Sequence, residues 1–151
     1  MPSTLRAQVL AAVVAALDAA DAERPAHLVA VHRFRFRPLD MDKLSAIVVY
    51  PARNVRGDDE LEAREDSFTF VIECRAKQLT AADTPDVLVE DLYWWAVTRL
   101  LADPTLGGLV TELEEGDTLW QGEHLLEAYA AAGVQFTAVF HRPYDDPAVA
   151  G

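Results

Sequence analysis

The sequence predicts an α+β fold, an antiparallel β-sheet of about four to five strands with two main helices packed on one face. Three observations predict it. Residues Ser67 to Ala76 alternate apolar and polar side chains, as a half-buried strand does. Two segments, Ser3 to Ala22 and Asp83 to Ala102, repeat apolar residues at helical spacing. The order helix, strands, helix, strands lacks the regular strand–helix alternation of a doubly wound parallel sheet.

In the first helix Ser3 is the expected N-cap, Leu5, Val9, Val13 and Leu17 form the apolar stripe, and Ala22 to Pro25 ends it. Leu28 to Arg37 has extended character, with Phe34 and Phe36 on one side and Arg33, Arg35 and Arg37 on the other; Pro38 stops it. Leu44 to Tyr50 is an apolar run rich in β-branched residues, the pattern of a central strand ending at Pro51. Arg53 to Asp66 is polar and charge-dense and is expected to be a long exposed hairpin connection. In the strand from Ser67, residues Phe68, Phe70, Ile72, Cys74 and Ala76 share one face.

Asp83-Thr84-Pro85-Asp86 combines a capping residue, a proline at the first helical position and an acid in the first turn, so it starts the second helix. Asp103-Pro104 stops that helix, and Gly107-Gly108 turns the chain into an expected strand from Leu109 to Leu113. Acidic Glu114 to Asp117 then leads to Leu119-Trp120. The alanines between His124 and Ala132 allow a helix there, whereas Val134, Phe136, Ala138 and Phe140 mark a strand. Residues 1–151 are expected to form one domain, with 143–151 a fraying tail.

Composition narrows the function. The 151 residues are 51% hydrophobic and 25% charged, a globular balance, and the apolar tract from Leu10 to Leu17 is too short to span a bilayer. Arg6 is the only early cation, so the first segment is read as a retained amphipathic helix, and the protein as soluble and cytoplasmic when made. A formal charge of −12 argues against general affinity for nucleic acid. Cys74 is the single cysteine and is expected to fill the core.

No dinucleotide, phosphate-loop, zinc-protease, serine-hydrolase or dithiol motif occurs, and His27, His32, His124 and His141 are scattered. No enzyme activity, catalytic residue, metal or cofactor is therefore expected. Two features stand out instead. Trp94 and Trp95 both fall mainly opposite the helical arc of Leu88, Val89, Leu92, Tyr93, Ala96 and Leu100. Either the first helix covers them, or one or both anchor a neighbouring subunit. Arg33, Arg35 and Arg37, extended by Arg53 and Arg56, form a basic stripe in an acidic chain. It is either a solvated edge strand or a surface that docks on an acidic loop of the next copy. That loop would be Asp58 to Glu62, which carries Asp58, Asp59, Glu60 and Glu62, or Glu112 to Asp117. Such a head-to-tail contact closes into a ring.

Several segments together resemble the tail terminators of long-tailed phages, the minor tail protein U type. Arg37-Pro38-Leu39 followed by Leu44-Ser45-Ala46-Ile47-Val48-Val49-Tyr50 is similar to that family's P-L … L-P-A-I-x-V-Y segment, with Ser45 in place of proline. The strand from Phe68, the segment Leu101-Ala102-Asp103-Pro104-Thr105-Leu106-Gly107-Gly108-Leu109-Val110, and the strand Phe136 to Arg142 followed by Asp146-Pro147 agree in order and spacing. The resemblance spans roughly residues 5 to 147, and the D-P-x-L-G-G-L-V piece is its most specific part. It implies a small α+β structural virion protein that caps the head-proximal end of the tail tube as a hexameric ring. The ring ends tube polymerisation and offers a surface for head joining.

Its implied partners are further copies of itself, the tail tube protein and a head-completion or connector protein, with no membrane, and DNA passing through the ring. The implied location is the neck region of the virion, after assembly in the host cytoplasm. The resemblance also favours extended structure over helix for Glu127 to Ala132. Competing expectations are another neck or tail-completion protein, a non-virion assembly factor, and a small-ligand binding module. The last would need a deep pocket with convergent polar groups.

Overall fold

The computed structural model describes residues 4–19, 22–28, 30–33, 45–59, 64–77, 84–121 and 129–142, with backbone alone at 54–59, 64, 121, 129 and 142. Its elements are α1 (Leu5–Asp18), β1 (Ala30–Arg33), β2 (Ser45–Asp59), β3 (Arg64–Lys77), α2 (Pro85–Leu101), β4 (Glu112–Gln121) and β5 (Tyr129–Arg142). They form a five-stranded sheet in the order β1-β2-β3-β5-β4, with both helices on one face. The α+β expectation holds with one correction. The sheet is mixed, because β1 runs parallel to β2, Val31 opposite Ile47, while every other pair is antiparallel. A parallel neighbour requires a long connection, and residues 34–44, outside the described residues, make it.

The hydrophobic face of the sheet follows the alternation in the sequence. Phe68, Phe70, Ile72, Cys74 and Ala76 are all buried, opposite Ala138, Phe136, Val134, Ala132 and Ala130 of β5 in turn. Phe70 and Phe136 stack with ring centroids 5.9 Å apart, at the middle of the sheet. The α1 stripe of Leu5, Val9, Val13 and Leu17 and the α2 stripe of Leu88, Val89, Leu92, Ala96 and Leu100 close over this face. Among the described residues, no helix is long and apolar enough to cross a membrane.

Several element boundaries differ from the sequence reading. The α1 cap is Thr4, whose hydroxyl accepts from the Ala7 amide at 3.2 Å, and Ser3 lies outside the described residues. The helix stops at Asp18 and not at Ala22, and Arg24 reaches back to donate to the Asp18 carbonyl. β1 covers Ala30–Arg33; Leu28 is buried but precedes the strand, and Val29 and residues 34–37 lie outside the described residues, as do Glu127 and Ala128. Thr84 precedes Pro85 at the start of α2, as expected.

The segment Arg53 to Asp66 corrects a larger expectation. β2 passes through Pro51 and continues to Asp59, and β3 begins at Arg64, so most of the supposed connection is a two-stranded ladder. Pro51 is tolerated because β1 pairing ends at Val49, which leaves that side of β2 without a described strand partner, and a register shift follows at once. Polarity marked this segment as exposed. Antiparallel pairing with β3 satisfies the backbone groups on that side of it all the same.

On the C-terminal side, residues 102–111 form turns, with Gly107 and Gly108 at φ 71° and 89° where a side chain would be strained. The expected strand at Leu109 thus begins only at Glu112, and the acidic run Glu114 to Asp117 belongs to β4 and not to a loop. A register shift between Glu115 and Thr118 absorbs Gly116, where a Cβ would meet the Gln135 carbonyl oxygen at 3.2 Å. From Tyr129 onward the alanines are in β5, extended as the family resemblance implied, because β3 pairs with them along its whole length.

Candidate assembly interface

The sheet order puts the two charged strands at its two ends. β1, carrying Arg33, and β4, carrying Glu112, Glu114, Glu115 and Asp117, each pair on one side only among the described residues. All five of these side chains are exposed. Four strand spacings separate the edges, about 19 Å, beyond a physiological screening length of about 8 Å. The basic and acidic edges therefore do not neutralise each other within one subunit.

The acidic edge carries its own repulsion. Glu114, on the same side of β4 as Glu112, raises the Glu112 carboxyl above its ordinary range by its charge and a shared hydrogen bond, with smaller contributions from slight burial and from Glu65. The register places Glu112, Glu114 and Glu115 opposite Val139, Thr137 and Phe136, none of them cationic. Tyr93 of α2 donates its hydroxyl to Glu115 Oε1 at 3.0 Å and so ties this strand to the helix layer. Burial first, and that hydrogen bond next, raise the Tyr93 phenol above its usual value.

The other acidic candidates are placed differently. Asp58 and Asp59 lie on β2, where the register sets Asp59 opposite Arg64 and Arg56 opposite Asp66. The register thus pairs acidic with basic positions there, whereas β4 is paired with no cationic position of β5. Glu60, Glu62, Arg35 and Arg37 lie outside the described residues, and Arg53 is exposed on β2.

The two tryptophans separate. Trp95 is 6% exposed, within the core that α1 completes, and Trp94 is 72% exposed. Of the two alternatives, cover by the first helix holds for Trp95, whereas Trp94 is left exposed. Arg99 holds the helices together there: its Nε donates to the Ala16 carbonyl oxygen, and its guanidinium lies 5.9 Å from the Trp95 ring centroid. What the sequence reading missed is the company of Trp94. Val87 and Leu101, at 51% and 43% exposure, lie seven residues to either side, so the three make one apolar line on the outside of α2. That spacing was available as a signal. The same holds for Leu119 and Trp120, exposed on the acidic edge strand.

An open groove of about 980 Å³ lies beside Trp94, between α2, Ala16 of α1 and the turns at 22–28. His27 on its wall has Nδ1 2.8 Å from the Ser45 hydroxyl and Nε2 3.9 Å from Asp91. His141 lies on the opposite face of the sheet, 3.2 Å from Glu65 and 3.4 Å from the Thr111 hydroxyl. Among the described residues, no three His, Cys, Asp or Glu side chains converge as a metal site would require. Cys74 is fully buried, and burial, with a contribution from Glu73, pushes its thiol up to about 12.

The fold is a mixed α+β plate whose two end strands, among the described residues, carry Arg33 on one side and the acidic row of β4 on the other. No protein-family model and no curated protein sequence matches this chain. Among solved structures, it is similar to a chain of a structure described as the virion of a native gene transfer agent (GTA) particle. The TM-score is 0.64 at 14% identity, with 89% of this chain and 95% of that chain covered. At that identity the likeness concerns the fold.

Proposed function

We propose that this chain is a structural virion protein, and that it caps the head-proximal end of a phage tail tube as a ring. The observation that carries the first half is the fold shared, over nearly the whole of both chains, with a chain of a gene transfer agent virion. The second half rests on the resemblance of its sequence to tail terminators, and it is supported by the opposite charges on the two sheet edges. In a ring, the β1 edge of one subunit meets the β4 edge of the next. Arg33 and the arginines that follow it in sequence, Arg35 and Arg37, then face Glu112, Glu114, Glu115 and Asp117. The contact is heterologous, since two different patches meet, and repeated rotation closes it.

A strand with free backbone groups on one side is a template for pairing, and opposite charges fix which edge it accepts. Glu112 and Glu114 repel each other in the free subunit, so an arriving cation relieves that repulsion as well as attracting both. The free protein is then a monomer or a weak oligomer, and the ring is completed on the tip of the tail tube. Light scattering that finds a stable hexamer at low micromolar concentration would overturn that last step.

Deletion of the gene followed by electron microscopy of the lysate tests the function. Overlong tails beside unjoined filled heads are expected, and normal joined particles would overturn the proposal. The likeness to a virion chain also fits a neighbouring neck or tail-completion protein. Labelled density at the junction of tube and head-completion protein separates the two.

A further inference from the structure

We propose that the groove beside α2 is a docking site for a basic segment of a different polypeptide, with an arginine or lysine side chain laid on the exposed ring of Trp94. The apolar line Val87–Trp94–Leu101 extends for about 21 Å along the helix. Small side chains line the groove at Trp94, Ala16, Ala26 and Ala102 among them, and leave room for a long aliphatic stem. Glu90 and Asp91 precede Trp94 by four and three residues, so they stand one turn away on the same side of α2. Glu23 and Asp103 add two further carboxylates to the lining.

The cationic groups of the groove are already committed. Arg99 is held by the Ala16 carbonyl and the Trp95 ring, and His27 by Ser45 and Asp91. Four acids against these two leave the lining negative, and the free aromatic face adds a preference for a cation. An acidic segment or an anionic membrane surface is repelled. A second copy of this chain is a poor occupant, because copies carrying −12 each repel except where a local cation stands out. Among the described residues, Arg33 and Arg53 are the exposed strand arginines, and the β4 edge offers them a denser acidic row. The groove thus serves a different contact from the sheet edges, and it stands whether or not the chain forms a ring.

The test uses the full-length protein and two acetylated, amidated pentapeptides, Arg-Leu-Arg-Leu-Arg and Glu-Leu-Glu-Leu-Glu, titrated by calorimetry. Saturable binding of the arginine peptide alone is expected. Trp94→Ala weakens it about tenfold, and Glu90→Gln weakens it about threefold. Trp94 and Glu90 are exposed, so these variants keep the parent melting temperature, which circular dichroism verifies. Glu112→Gln with Glu114→Gln, on the far edge of the sheet, leaves the affinity unchanged and separates groove binding from general attraction to an acidic protein. Absence of saturable binding, equal binding of the glutamate peptide, or insensitivity to Trp94→Ala overturns the proposal. Loss of self-association in Trp94→Ala would identify the occupant as a second copy and overturn it as well.

Discussion

Trp94 and Trp95 are consecutive on α2, and one indole lies in solvent while its neighbour is packed under α1 beside Arg99. A helix turns about 100° per residue, so adjacent side chains on its flank can fall on either side of the boundary drawn by a second helix. Trp95→Ala is expected to cost about 3 kcal/mol in urea unfolding, the order found for large buried aromatics. Trp94→Ala is expected to change stability by less than about 0.5 kcal/mol. Equal effects would show that both rings are core.

Cys74 reports on the integrity of the core. Its thiol is buried and raised to about 12, so disulfide-exchange reagents should leave it unmodified in the native protein and react fully in guanidinium chloride. The sign of its pH effect follows. The folded state keeps the thiol proton that the unfolded chain releases near 9, so stability is complete below pH 9 and falls as pH rises toward 12. The slope is about 1.4 kcal/mol per pH unit for a single group. Cys74→Ala should abolish the loss that begins at pH 9. The loss above 10, where Tyr50 is also raised by burial first and by Glu73 next, should remain. Urea midpoints across that range check both.

Glu73 and Arg75 form an ion pair of 2.8 Å on the sheet face away from the helices, with Glu73 buried and Arg75 partly exposed. Arg75→Met strands a carboxylate with little water around it and should cost about 2 kcal/mol. Replacing both residues with leucine should cost less than the single change. A double-mutant cycle by urea unfolding measures the coupling, and additive losses would deny it.

The edge-to-edge ring contact predicts a charge-swap result. Arg33→Glu should weaken association by about fivefold, near 1 kcal/mol for one partly screened pair. Combining it with Glu114→Arg should restore part of the loss, since the new charges again oppose each other across the contact. Added salt should weaken the parent association and have less effect on Arg33→Glu. Sedimentation equilibrium reads each of these.

By itself the sequence determined the α+β class, the buried faces of β3 and β5, the cap and proline start of α2, and the acidic balance. These are local matters, written in side-chain period and turn chemistry within a few residues. It did not determine that β1 runs parallel to β2, since strand direction depends on the path of the connecting chain. It also made loops of the polar stretches Arg53 to Asp66 and Glu114 to Asp117. An edge or hairpin strand can be polar on both faces, because pairing satisfies its backbone while its side chains stay in water. The charge-rich segments of Arg33 and Glu112 were visible in the sequence. Their position at opposite ends of one sheet came only from strand order, and so did the separation of Trp94 from Trp95 by the placement of α1. Tertiary structure decided these points because they depend on which elements become neighbours, a relation among residues far apart in the chain.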